Sequence, residues 1–458
     1  MRSSPRALPI LLLALAAPAA AQTSHGPDRS RVAAAVDSIV AAALEGGRAA
    51  GMSVAVVRGR DTLVLKGYGF ADLELDAPTP ERAIYEIGSV TKQFTASAIL
   101  QLQEQGKLSL DDEITKYLPG YPTQGRKVTL RRLLDHTSGI KGYTELPEFE
   151  RLMSRKMPRD TLVALFSSKP FDFEPGEAEV YNNSAFFLLG LVIEKVSGMS
   201  YADYVKKNLF DRAGMPDSRY CSESAMVKRR AHGYDTGPNG LQLAAYIDQT
   251  WPFSAGSLCS TAADLAAWTL ALHSGKILGP AAYQELITPG TLNDGTRLRY
   301  AKGLAVDSLL GHRAIHHGGG IPGFLSELEY FPDDTLVIAV LINSTGPVSP
   351  EGVARSIEEA VLGRSVVKAA PFKGKAADYV GEYRGVGRGQ ETVLKVAQDS
   401  TGTLTIQQGR QPPRPLAFRG GDTFEVGNGR YTFKREGKRV VAVRADFVFA
   451  NTLAKRTP

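Results

Sequence analysis

Three groupings in this chain place side chains where they could act together on a carbonyl group. The first is Ser89-x-x-Lys92, inside "YEIGSVTKQF". Residues three apart on a helix share a face, so a lysine amine at that spacing reaches the serine hydroxyl and can take its proton. The same pattern recurs at Ser138/Lys141 and Ser365/Lys368, so the pattern alone selects nothing. Ser138 precedes Gly139 at the end of a helical stretch, and Ser365 falls in an aperiodic segment; only Ser89 opens a well-formed helical pattern. A helix start offers unpaired backbone N–H groups and a partial positive charge, which suit the Ser89 amide to hold an oxyanion. The plainer reading makes Ser89 a helix cap and Lys92 a solvated surface lysine.

The second grouping is Tyr181-x-Asn183, in "EPGEAEVYNNSAFFLLG", immediately before another helical pattern. A phenolate close to a lysine can serve as a base, and the amide side chain can hold a substrate carbonyl. Taken singly, Tyr181 reads as a buried aromatic and Asn183 as a helix cap. The third is "HHGGGIPGF", where glycines let a strand's backbone approach a ligand and the Gly320 amide can complete an oxyanion hole. By itself that stretch is only a mobile turn.

The elements that must carry these groups are legible from periodicity. Residues 28–47 read as an amphipathic helix ending at Gly46-Gly47, and "MSVAVVRGRDTLVLKGYG" as a hairpin turning at "RGRD". A helix is expected from Ser89 to Gly106, with others over 128–136, 159–168, 183–197, 260–275 and 350–361. Two β-rich runs joined by "PDD" follow residue 300. Strands at both ends of the first 360 residues and helices between them predict an α+β fold: an antiparallel sheet completed by both ends of the domain, flanked by helices, with a mostly helical subdomain. The aperiodic "GRSVVKAAPFKGKAAD" reads as a linker over 363–375. Beyond it "VLKV", "TLTI", "TFEV", "RYTFK" and "RVVAVRADFVFA" predict a small all-β, barrel-like domain over 376–458.

Motifs, order and neighbouring text together resemble the serine β-lactamase-like hydrolases: the class C β-lactamases, the D-alanyl-D-alanine carboxypeptidases, and esterases and D-aminopeptidases of the same fold. The phrases that carry it are "IGSVTKQFTA", "HTSGI", "YNNSAFFLLG", "AGSLCSTAADLAAW" and "HGGGIPGF", across roughly residues 30–362. The resemblance implies Ser89 as acyl-accepting nucleophile, Lys92 as its activating amine and Tyr181 as general base or proton shuttle. Asn183, His317 and Gly319 would meet the substrate, with the Ser89 and Gly320 amides as oxyanion hole. His136 is implied as a recurring structural residue, and His316 is expected on the far face of its strand. The C-terminal domain resembles lipocalin-like appendages of some relatives.

One departure matters: where penicillin-hydrolysing members carry Lys-Thr-Gly, this chain has His317-Gly318-Gly319. A lysine holds a substrate carboxylate with a permanent charge, whereas histidine, with a pKa of about 6.5, is mostly neutral. Ester or amide hydrolysis, esterase or D-amino-acid peptidase-like, is therefore expected over strong β-lactamase activity. A penicillin-binding sensor that is acylated without turnover, and a true β-lactamase or carboxypeptidase, stand as alternatives.

Composition sets the frame. The chain has 458 residues, 43% hydrophobic and 22% charged, which is ordinary for a globular protein. No Gly-x-Ser-x-Gly elbow and no His-Glu-x-x-His are present, which argues against an α/β-hydrolase and a zinc peptidase; no metal or cofactor is expected. The net charge of +6 is scattered, so a small-molecule or peptide substrate is expected and not nucleic acid. Arg2 and Arg6, an apolar run and Ala19-Ala20-Ala21 predict a cleaved secretory signal over 1–21, with residues 22–362 as the hydrolase domain, a periplasmic or secreted location and no stable membrane insertion. The only cysteines are Cys221 and Cys259. In an oxidising compartment they pair, or else Cys259 is a buried thiol; both readings stand.

Overall fold

The structure is a computed structural model that describes residues 29–363, 371–387 and 391–457. The signal expected over 1–21, Ser365/Lys368 and most of the expected linker lie outside the described residues.

The central sheet draws on both ends of the first domain. In order across the sheet run β5 (Ala305–Leu309), β6 (His312–Ile321), β7 (Phe324–Phe331), β8 (Leu336–Ile342), β1 (Gly51–Arg58), β2 (Asp61–Asp72) and β3 (Ala77–Pro78). Every neighbouring pair is antiparallel, and β1 meets β8 with Val54 opposite Val340. β1 and β8 are apolar on both faces because both are covered. Val54, Val56, Ile338 and Val340 pack against helices α1 (Arg29–Leu44) and α5 (Pro350–Leu362). Ala55, Val57, Val337 and Ala339 face the helical side. The alternation follows from the two-residue period of a strand.

On the helical side lies α2 (Thr91–Glu104), in which every residue from Thr91 to Leu102 is buried. A helix buried all round, here with Lys92, Gln93, Thr95, Ser97 and Gln101 among its buried residues, is the central helix of the domain. Around it pack α3 (Asn183–Ser197) and α4 (Ala262–His273), which meet it through contacts such as Phe94 stacked on Trp268. The predicted helices are all present, with boundaries that differ by up to a few residues. α1 stops at Leu44 and a single 3-10 turn continues to Gly47. Ser89 sits in a 3-10 turn, Gly88–Val90, just ahead of α2.

The C-terminal strands form a nearly closed barrel. In chain order these are β9 (Gly381–Val386), β10 (Glu391–Gln398), β11 (Leu404–Gln408), β12 (Arg414–Pro415), β13 (Ala417–Gly420), β14 (Thr423–Val426), β15 (Gly429–Glu436), β16 (Arg439–Phe447) and β17 (Ala450–Arg456). The sheet runs β12-β11-β10-β9-β17-β16-β15-β14-β13 around its own core of Tyr379, Tyr383, Phe424, Phe433 and Val443. The run "RVVAVRADFVFA" is two strands, not one: the chain turns at Val448-Phe449 and β17 pairs back onto β16. One further strand joins the barrel from outside, β4 (Glu179–Val180) of the first domain, which pairs with β17.

Candidate active site

Two glycines let the turn that carries Ser89 meet the edge of the sheet. Gly88 has φ +49°, and a Cβ there would lie 2.9 Å from the Gly320 nitrogen. A Cβ on Gly319 would press into the Ile87 carbonyl and come within 3.1 Å of the Ser89 nitrogen. Only bare backbone fits at this seam. It sets the Ser89 and Gly320 backbones on the wall of one cavity of about 200 Å³. Ser326 Oγ donates to the Ile87 carbonyl at 2.9 Å and ties β7 to the same turn.

Lys92 is fully buried behind Ser89. Its Nζ donates to Ser89 Oγ at 3.1 Å, to Asn183 Oδ1 at 2.8 Å and to the Ala255 carbonyl at 2.9 Å. In the neutral form that can take the Ser89 proton, an amine has two N–H bonds and one lone pair; with Asn183 Oδ1 and the Ala255 carbonyl as acceptors, the lone pair is available to the Ser89 hydroxyl. Asn183 can do this because it is not the helix cap. Asn182 caps α3, its Oδ1 accepting from the Ala185 amide at 2.9 Å, which frees Asn183 for the cavity. Asn183 Nδ2 donates to Thr144 Oγ1 at 3.3 Å.

The Tyr181 ring lies beside this amine, its centroid 4.6 Å from Lys92 Nζ. Behind it stands His136, buried with φ +59° and its ring centroid 4.5 Å from that of Tyr181. His136 accepts the Val180 amide on its carbonyl at 3.1 Å and the Asn182 amide on Nδ1 at 3.2 Å. Its place is structural, under the tyrosine.

His317 is not brought to the cavity wall. It is only 1% exposed, and its Nε2 is 3.0 Å from the Tyr300 hydroxyl, while Nδ1 meets the Gly318 carbonyl. Nδ1 therefore carries the proton and Nε2 accepts from Tyr300. Burial, with the Lys92 charge adding to it, pushes the His317 pKa down to about 3. The structure thus places this residue, expected to meet the substrate, as a buried, uncharged imidazole. Gly319 likewise serves the close approach to Ile87 and does not line the cavity. His316 points to the opposite face, with Nδ1 3.2 Å from Glu327 Oε1.

The cavity is walled by Tyr143, Thr144, Phe149, Ile247, Pro252, Ile321 and Pro322, with no lysine, arginine, histidine or carboxylate among its lining residues. Sequence reasoning did not find these walls, nor Tyr300, nor the Ala255 carbonyl; the small residues of "SAGSLC" were the only hint of the last. It also did not find Phe449, whose carbonyl accepts the Tyr181 amide at 3.2 Å. Cys221 and Cys259 are joined in a buried disulfide, and Cys259 lies opposite Glu86 in the short strand that leads to Ser89.

Of the other Ser-x-x-Lys pairs, Ser138 is buried outside any helix and Lys141 is paired with Asp172 at 2.8 Å. Among the described residues, Ser89 is the serine that combines a buried lysine, a cavity and a close backbone seam, and the protein is a serine hydrolase. The chain belongs to the beta-lactamase family, whose sequence profile matches residues 36–362. It is 29% identical over 357 residues to penicillin-binding protein 4* of Bacillus subtilis (strain 168), across 72% of this chain and 78% of that one. Among solved structures it is similar to a D-stereospecific amidohydrolase from Streptomyces sp., at 28% identity and a TM-score of 0.61, over 74% of this chain and 100% of that one. The octameric penicillin-binding protein homologue from Pyrococcus abyssi superposes with a TM-score of 0.64 at 26% identity, over 92% of this chain and 99% of that one. That last match extends beyond the hydrolase domain.

Proposed function

We propose that this hydrolase cleaves amide or ester bonds of small substrates that carry no carboxylate, through a Ser89 acyl-enzyme, as a D-amino-acid amidase or esterase-like enzyme with weak or no β-lactamase activity. Lys92, assisted by Tyr181, draws the proton from Ser89 as Oγ attacks the carbonyl. The negative oxygen is held by the Ser89 and Gly320 amides, and Asn183 orients the acyl group. The proton then passes to the leaving amine or alcohol, and water, activated by the same pair, releases the acid.

The observation that carries the choice of substrate is the cavity wall, which offers apolar surface and no fixed positive charge. A penicillin or a peptide C-terminus brings a carboxylate whose desolvation nothing in that wall repays. The D-stereospecific amidohydrolase among the similar structures supports an amide substrate of D configuration. Export is part of the same proposal, supported by the N-terminal residues 1–21 and by a disulfide that persists in an oxidising compartment.

The test is a substrate panel: D- and L-phenylalanine amide, p-nitrophenyl esters of short acids, and a chromogenic cephalosporin. Turnover of the amide or ester at least about a hundredfold above the cephalosporin, in kcat/KM, supports the reading. Faster turnover of the cephalosporin contradicts it, and a stable penicillin adduct without turnover would favour a sensor.

A further inference from the structure

We infer that the C-terminal barrel is a working part of the active site, with Phe449 as the positioning residue that holds Tyr181 in place. This rests on the reading that Tyr181 handles the proton at Ser89.

The segment Glu179–Asn182 is held from two sides by alternating amides. Val180 and Asn182 give theirs to His136, at 3.1 and 3.2 Å, inside the first domain. Tyr181, between them, gives its amide to the Phe449 carbonyl at 3.2 Å, in the barrel. The pairing continues as strand addition, with Ala450 opposite Val180 and Asn451 opposite Glu179. The proposed base thus directly follows a two-residue strand whose strand pairing comes from the barrel.

The Phe449 side chain reinforces the backbone contact. Its ring meets Tyr181 edge-on, at 5.5 Å and 80°, and lies 5.3 Å from His317 and 5.8 Å from Tyr300. Without it the Tyr181 ring loses its edge-on contact with the barrel and keeps those with His136 and His317 of the first domain. A displacement of 1 Å in a reacting group is enough to cost about a hundredfold in rate.

The barrel is also fastened where such a contact must be precise. Arg299, next to Tyr300, donates to the Asp446 and Asn428 carbonyls, both at 2.8 Å, and pairs with Asp307 at 3.0 Å on its own side. Arg444 reaches back from the barrel to Asp294 and holds Asn451 at 2.8 Å. A tethered appendage with no part in catalysis requires neither these fastenings nor an aromatic ring on the proposed base.

The test uses the full chain and ester hydrolysis. Phe449→Ala is expected to lower kcat by about tenfold or more while KM changes less than about threefold, and to shift the pH profile of kcat; Phe449→Leu should recover most of the loss. Melting temperatures establish that both variants are folded. Should Phe449→Ala not fold, Arg444→Met, which loosens the barrel without touching the cavity, must show the same kcat-only loss. Wild-type kcat and pH profile in a folded Phe449→Ala, or in Arg444→Met where that variant decides, overturns the inference and leaves the proposed function standing. A wild type that neither hydrolyses the ester nor labels at Ser89 overturns both.

Discussion

Asn183 Oδ1 lies 2.8 Å from Lys92 Nζ, and this contact, with the Ala255 carbonyl, sets the direction in which the amine faces Ser89. Removing it leaves the lysine held by the Ala255 carbonyl but with one fixed acceptor fewer. Asn183→Ala is expected to reduce kcat/KM by about 10- to 100-fold, and Lys92→Ala by about 10²–10⁴-fold. Steady-state ester hydrolysis checks both. Equal losses in the two variants would mean that Asn183 does more than aim the amine.

His317 predicts what will be absent from the pH profile. With its pKa pushed down to about 3, it carries no charge across the neutral range. His317→Gln, which keeps an acceptor near Tyr300, should leave the pH dependence of kcat/KM unchanged in shape. Stability is where its titration shows. The unfolded chain takes up a proton as pH falls through about 6.5 and the folded imidazole does not until about 3, so folding is penalised progressively in that window. The variant should lose less melting temperature than wild type between pH 7 and pH 4, about those limits.

Gly319 has no side chain because the Ile87 carbonyl occupies the space, with the Ser89 amide next to it. Gly319→Ala must push the Ser89 turn away from β6. Ester hydrolysis is expected to fall by about a hundredfold, and circular dichroism should still report a folded protein.

A buried acidic group behind the sheet predicts the opposite pH response. Glu358 on α5 is fully buried with neither carboxylate oxygen hydrogen-bonded, and burial pushes its pKa up to about 7, against the pull of Arg355. A raised pKa stabilises the fold below the unfolded value and that contribution is lost as pH rises through about 7. Glu358→Gln should therefore raise the melting temperature by about 2–4 °C at alkaline pH and have little effect at acid pH. Differential scanning fluorimetry across pH decides it.

What the chain revealed in advance depended on how far each signal reaches along it. Ser89, Lys92 and Asn183, which the structure brings together, stand out in the sequence because helix spacing and helix starts are local properties, and the sheet's composition could be found because β1 and β8 are apolar on both faces. The two asparagines were harder. Either could cap α3, and only the fold shows that Asn182 takes the cap and Asn183 the lysine.

The burial of His317 was not legible for a physical reason. The alternation of β6 gives the face on which a side chain lies, but not that Tyr300, seventeen residues earlier, fills the space in front of it. Phe449 carried no signal at all. It sits in an apolar run that reads as continuous strand, and its partner Tyr181 is in another domain, so neither spacing nor composition connects them.

The measurement that bears most directly on the Ser89 acyl-enzyme is intact-protein mass after brief exposure to a fluorophosphonate, with peptide mapping of the adduct, in wild type and Ser89→Ala. One adduct per chain on the peptide containing "YEIGSVTKQF", absent from Ser89→Ala, is the predicted result. An unlabelled wild type, or a Ser89→Ala variant labelled to the same extent, would contradict it.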